Sequence, residues 1–328
     1  HGGAGRPDNW DEVMRGGGGG QREAAPNQGT RGIKWAALDC ADEETGDYRI
    51  ASWASEKLGQ KHSKPFFLAV GFHKPHMPWN VPRKYFDLYP LDRIELPPHR
   101  ADDLADVPPE GLKMAKPDGD HAEMVRSGKW KQAVQAYLAA ISYLDAQVGR
   151  VIEALDRGPN ASNTLICFWG DHGWHLGEKE HWRKFALWEE ATRAPFIWVV
   201  PGVTRPGGVC SRPVDFMSIY PTLCDLTGID RPAHVEGLSI RKLLADPKAE
   251  WTAPALTTFH RNNHSLRSES WRYIRYAEGG EELYDHRNDP YEWTNLAHRP
   301  EHAALKTQLS EWLPKVNREE RPRNASRP

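Results

Sequence analysis

Three short, nearly unbroken apolar runs limit what this chain can become: KPFFLAVGF at 64–72, NTLICFWG at 163–170 and APFIWVVPG at 194–202. A strand with one wet face alternates apolar and polar residues, so runs like these predict strands covered on both faces. Between the first two lies a long amphipathic pattern. Trp130, Val134, Tyr137, Leu138, Ile141, Leu144, Val148, Val151, Ile152 and Leu155 recur at steps of three and four, and Gly158-Pro159 ends them. A shorter helix is expected over 215–228, closed by Gly228. Buried strands alternating with helices predict an α/β fold with a mostly parallel central sheet. HKPHMPWNVP (73–82) carries three prolines and reads as a loop, and 90–120 reads as surface connection.

The texture changes after about residue 247. HSLRSESWRYIRYAEGGEELYDHRNDP reads as strand, Glu-Gly-Gly turn, strand, and EHAALKTQLSEWLPKV as a closing helix. The expected organisation is a flexible glycine-rich loop over 1–32, a large α/β part over 33–247, a small antiparallel α+β subdomain over 248–316 and a disordered tail over 317–328. With 328 residues, 39% of them apolar, a substantial core is possible. Lys and Arg number 43 against 45 Asp and Glu, which gives no electrostatic reason to expect a nucleic-acid partner. No apolar run approaches the roughly 20 residues of a transmembrane segment. Cys40, Cys167, Cys210 and Cys224 lack metal-pair spacing, and Cys167 and Cys224 are expected as buried thiols. Asn160, Asn263 and Asn324 each begin an Asn-x-Ser triplet of the glycosylation acceptor type.

In parallel sheets, ligands bind beyond the carboxyl ends of the strands. Two segments leave such ends bearing reactive groups: FHKPH (72–76) and GDHG (170–173). Asp171 and His172 together suit a divalent cation. The carboxylate favours Ca²⁺ or Mg²⁺, and the imidazole admits Mn²⁺ or Zn²⁺. The same pair also fits a capping aspartate beside a hydrogen-bonded histidine. His181, Arg183 and Lys184 offer positive charge for an anionic substrate, or simply a solvated charged face. His73 and His76, on a proline-stiffened loop, are of the type that donates to an oxyanion or protonates a leaving group. The spacing of His175 and His181 matches no zinc-helix motif.

Taken together, the segments resemble the sulfatases, and within them the iduronate-2-sulfatase-like branch. The resemblance rests on PFFLAVGFHKPHMPWNVPRKYFDLYP (65–90), WGDHGWHLGEKEHWRKFALWEEATRAPFIWVVPG (169–202), SIYPTLCDLTG, EGLSI and WRYIRYAEGGEELYDHRNDPYEWTNLA (271–297), in that order. It implies an alkaline-phosphatase-like α/β sandwich and hydrolysis of a sulfate ester. The implied substrate is a sulfated sugar, with a small sulfate ester such as choline sulfate as the alternative. Asp171 and His172 would be ligands of one Ca²⁺, ahead of Mg²⁺ or Mn²⁺. Lys184 and His76 would face the sulfate as catalytic and substrate-binding groups. His1 would be the remnant of a Gly-Lys-x-x-His motif lining the same pocket. The family acts in periplasm, outside the cell or in lysosomes.

The departures matter as much. The family's Asp-Asp pair, expected ahead of the matched segments, and its C/S-x-P-S-R pattern, whose first residue becomes formylglycine, have no counterpart in this sequence. CSRPV (210–214) has the wrong order. The chain therefore reads as an N-terminally truncated sulfatase, lacking the first strands of its sheet and inactive alone. The rival readings are a phosphate or phosphonate ester hydrolase of the same superfamily and a non-catalytic module that binds sulfated glycans.

Overall fold

A computed structural model describes residues 10–14 and 25–319. His1, the five glycines and Asn324 lie outside them. The chain falls into two compact units. One holds residues up to Leu96 together with Ala122–Thr164, and the other holds Pro97–His121 and everything from Leu165 onward. The expected boundary at 247/248 falls inside the second unit.

In the first unit, β1 (Trp35–Leu38) pairs in parallel with β2 (Trp79–Pro82). β2 occupies the end of what reads as a proline loop, and its four residues are buried. The long helix spans Trp130–Arg157, stopping at Gly158 as the sequence predicts. Its partner is the helix Gly46–Gly59. The residues of the long helix most completely covered are Ala133, Ala136, Ala139, Ala140, Tyr143 and Gln147, and the partner helix, with Ala51 and Ala54 covered, runs beside its C-terminal half, from Thr45 at Tyr143 to Leu58 at Gly158. The alanine end packs instead beside β2 and the residues after it, where Tyr137 meets Trp79 edge to face and Gln135 donates to Tyr89 O at 2.7 Å. Of the predicted stripe, Val134 and Leu155 are buried while Leu144 and Val148 stay half-buried. Arg150 crosses the pair, donating to Ser52 Oγ at 2.9 Å and lying 3.6 Å over the Tyr48 ring. Asn160 is buried, and its amide donates to the carbonyls of Leu58 (3.4 Å) and Gln60 (3.0 Å).

The run 64–72 is not a strand. It has no regular secondary structure and is mostly exposed, with Phe67 73% accessible. A strand exists only when a neighbour takes its N–H and C=O groups, and no strand among the described residues pairs with this run.

In the second unit, β3 (Ile166–Trp169) and β6 (Phe196–Val199) pair antiparallel, Ile166 opposite Val199 and Trp169 opposite Phe196. The sheet pieces are therefore mixed, one parallel and one antiparallel. Nor are these two strands buried on both faces. Cys167, Phe196 and Trp198 pack against Ile240 and Leu243, while Ile197 and Val199 are 54% and 47% accessible. Cys167 is only half-buried, though burial still pushes its thiol up to about 12, and Cys224 is fully buried. Between β3 and β6 runs a small hairpin, β4 (His175–Leu176) and β5 (Trp182–Arg183). The helix Ile219–Thr227 ends at Gly228, whose φ of 71° is left-handed backbone that glycine adopts without a steric cost.

The C-terminal part is a four-stranded antiparallel sheet of β7 (Ala255–Thr258), β8 (His264–Arg267), β9 (Trp271–Arg275) and β10 (Glu281–Asp285), in the order β10-β9-β8-β7. Leu266, Tyr273 and Leu283 pack with Leu309 and Leu313, at and beyond the end of the closing helix Ala303–Ser310, which is shorter than its pattern suggests. Ile274, Tyr276 and Tyr284 pack instead on Leu187 and Trp188, just beyond Lys184. The segment 97–121 is no mere surface connection: Asp103 and Ala115 are buried in this unit.

Candidate active site

Asp171 and His172 stand where β3 ends. The Gly170 N–H donates to Pro195 O at 3.0 Å and the Gly173 N–H to Ala191 O at 2.9 Å, so the loop lies flat along residues 191–195. A Cβ on Gly173 would sit 2.0 Å from Glu190 O, which is why no side chain fits there. The His172 Nδ1 lies 2.7 Å from Gly173 O. A carbonyl only accepts, so Nδ1 carries the proton and Nε2 is the lone-pair nitrogen of the neutral ring. Nε2 lies 3.5 Å from Asp171 Oδ1. Two ligands of one ion held at about 2.3–2.6 Å can stand that far apart. A metal-binding imidazole typically has its other nitrogen tied to a carbonyl, as here. These residues thus fit a hard or borderline cation, as two ligands of a set that needs more.

The hairpin after them carries much buried polarity. His175 and His181 are both buried, their rings edge to face at 5.0 Å. Nδ1 of each donates to a carbonyl, Glu178 O at 3.1 Å and Ala115 O at 2.8 Å. Burial holds His175 well below the ordinary imidazole range and takes His181 down to about 4. Both rings are neutral core. Lys179, Glu180 and Arg183 have φ of 54°, 47° and 81°. Left-handed backbone at a residue with a Cβ costs on the order of 1 kcal/mol. Three such residues in five require firm anchorage.

Part of that anchorage is Lys179, itself only 2% accessible. Its ammonium donates to Asp103 Oδ1 at 2.7 Å and to the Glu292 carbonyl, and its N–H donates to Asp103 Oδ2 at 3.3 Å. Arg183 donates to Asp120 Oδ2 at 2.5 Å. Lys184 follows directly, its ammonium 5.6 Å from the centre of the Phe185 ring.

Glu189, His286 and Glu292 place ligand atoms within 4.8 Å of one another. That group is filled by guanidinium instead. Arg272 donates to both carboxylates. Arg267 donates to Glu189 (3.1 Å) and to His286 Nδ1 (3.0 Å), leaving His286 Nε2–H for Glu292 (2.8 Å). Burial alone would raise the Glu292 carboxyl, but Arg272 and His286 override it and hold it at about 2.

His76 belongs to the first unit. Its Nδ1 donates to Met77 O at 2.6 Å, the tautomer seen at His172. The loop around it is pinned by buried Asp47, which accepts the N–H groups of His73 and Lys74 at 2.9 Å each. Burial pushes the Asp47 carboxyl up, against those two bonds. Lys74 donates to Pro78 O and the Trp79 indole to Pro75 O, closing the loop on itself. Sequence reasoning missed Asp47, Asp103, Lys179 and Glu292. The one local signal was an acidic residue in the first turn of a helix, at Asp47. His1 lies outside the described residues.

The sulfatase family model matches residues 11–229. The chain belongs to the sulfatase family. A second model, the C-terminal part of N-sulphoglucosamine sulphohydrolase, matches residues 177–319. Among curated relatives, a sulfatase of Formosa agariphila is 41% identical over 293 residues, covering 88% of this chain and 57% of that protein. Iduronate 2-sulfatase of Mus musculus is 36% identical over 208 residues, covering 52% of this chain and 37% of that protein. The chain thus spans about half the length, or less, of these relatives. Among solved structures, the phosphonate monoester hydrolase of Silicibacter pomeroyi aligns with a TM-score of 0.73 at 21% identity, covering 84% of this chain and 60% of that one. That likeness concerns the fold, which is the alkaline-phosphatase-like α/β fold of the sulfatases.

Proposed function

We propose that this sulfatase chain serves the hydrolysis of a sulfate ester, with a sulfated carbohydrate as substrate. The observation that carries the reading is the Asp171–His172 pair, fixed on a strand end with its tautomer set by Gly173. Asp171 and His172 would hold a Ca²⁺, which when bound polarises the sulfate oxygens. Lys184 supplies positive charge to the sulfate and to the oxygen that departs with the alcohol. The family motif assigns His76 to the sulfate as well; with its Nδ1–H given to Met77 O, it can donate to a sulfate oxygen only with Nε2 protonated. The nucleophile of this reaction, a formylglycine hydrate, belongs to a motif these residues do not contain, and the 328 residues alone are read as inactive.

Two measurements test this. In the full-length protein, Lys184→Ala is expected to lower aryl sulfate turnover by about two to four orders of magnitude. Turnover like that of the unaltered protein would overturn the assignment. Calorimetric titration with Ca²⁺ should show binding that Asp171→Ala weakens at least about tenfold; equal affinity would remove the metal role.

A further inference from the structure

We propose that Lys179 is a positioning residue: clamped between Asp103 and Glu292, it holds the β4–β5 hairpin so that Lys184 meets the substrate. The inference deepens the sulfatase reading and rests on it. Twelve residues separate His172 from Lys184 along the chain, counted to and including Lys184, and most of them form this hairpin. Its register sets His175 opposite Arg183 and Leu176 opposite Trp182, and Lys184 is the next residue. The hairpin's aim therefore becomes the aim of Lys184.

A tight turn of two-residue strands cannot fix that aim alone, least of all with left-handed backbone at Lys179, Glu180 and Arg183. Lys179 bonds outward in two directions. Asp103 takes both its N–H and its ammonium, a bidentate grip that fixes backbone and side chain together. The Glu292 carbonyl takes the ammonium as well, and the Tyr284 ring lies 5.0 Å from it. Glu292 is itself immobilised by Arg272 and His286, so the clamp reaches the C-terminal sheet. A lysine has the right shape for this: one cation at the end of a stem that crosses a buried layer and meets oxygens from two segments. A neutral isostere would fill the same space and lose the grip.

The test is Lys179→Met in the full-length protein, with Lys179→Arg as the conservative variant and Asp103→Asn removing the other half of the pair. With aryl sulfate, Lys179→Met and Asp103→Asn should each lower kcat by roughly 10- to 100-fold with KM within about threefold, and Lys179→Arg should recover part of the loss. Hydrogen exchange should show the amides of 175–183 losing protection while those of the helix 130–157 keep theirs. A folded Lys179→Met with unchanged kcat and unchanged exchange in 175–183 overturns the proposal. If Lys179→Met does not fold, Asp103→Asn and Lys179→Arg decide by the same readouts. If the unaltered protein turns over no sulfate ester, the functional reading fails. Selective exchange in the hairpin then still upholds the clamp, and its absence removes it.

Discussion

At the scale of single residues, the histidines divide by what each ring nitrogen meets. His172 and His76 each give Nδ1–H to a carbonyl at the surface, whereas His175 and His181 do so inside the protein. A buried neutral imidazole has a lower pKa folded than unfolded. Its contribution is complete above the unfolded value near 6.5 and is lost as pH falls towards the folded one, about 4 for His181. At ~1.4 kcal/mol per pKa unit, that gap amounts to roughly 3 kcal/mol for His181. The melting temperature of His181→Gln, which keeps a donor and cannot charge, should therefore rise relative to that of the unaltered protein as pH falls from about 6.5 to 4, a comparison that cancels the opposite contribution of Glu178, whose carboxyl burial pushes up to about 7. An unchanged profile would contradict the assignment. That Asp171 and His172 stand together was legible in the sequence, because adjacent residues need no fold to bring them together. Lys179 was not, because its partners lie at 103 and 292, and nothing local marks a lysine that will be buried.

At the scale of elements, periodicity was readable and partnership was not. The helix Trp130–Arg157 was legible end to end, since its pattern repeats through seven turns and stops at Gly158-Pro159. Which residues it buries was readable only in part: Val134 and Leu155 of the apolar stripe are buried, but Leu144 and Val148 stay half-buried while Ala136 and Ala140 are fully covered. Ala136→Leu should consequently destabilise the protein by roughly 1–3 kcal/mol, read from urea unfolding, whereas Leu144→Ala should cost less than a fully buried leucine would. The run 64–72 fails for the complementary reason. Apolar content shows that a segment would accept cover on both faces, but hydrogen-bonding neighbours must come from elsewhere in the sheet.

At the scale of the whole molecule, the fold class and family were legible because several ordered segments had to agree at once. The degree of burial was not. On β3 and β6, Ile166, Phe168, Ile197 and Val199 share the face turned away from the Trp198 cluster, and two of them are about half accessible. Apolar surface of this kind drives self-association. Ile197→Lys should lower light scattering of the 328-residue chain on concentration and leave its melting temperature within a few degrees; unchanged scattering would mean that this face takes no part in association. A different fate follows from Asn160. Its triplet is correctly spelled for an attached glycan, yet its amide nitrogen is spent inside the protein on two backbone carbonyls. A glycan on that nitrogen would have no room in this packing, so a chain glycosylated at Asn160 before folding would have to give up both hydrogen bonds and the close approach of the two helix ends they span.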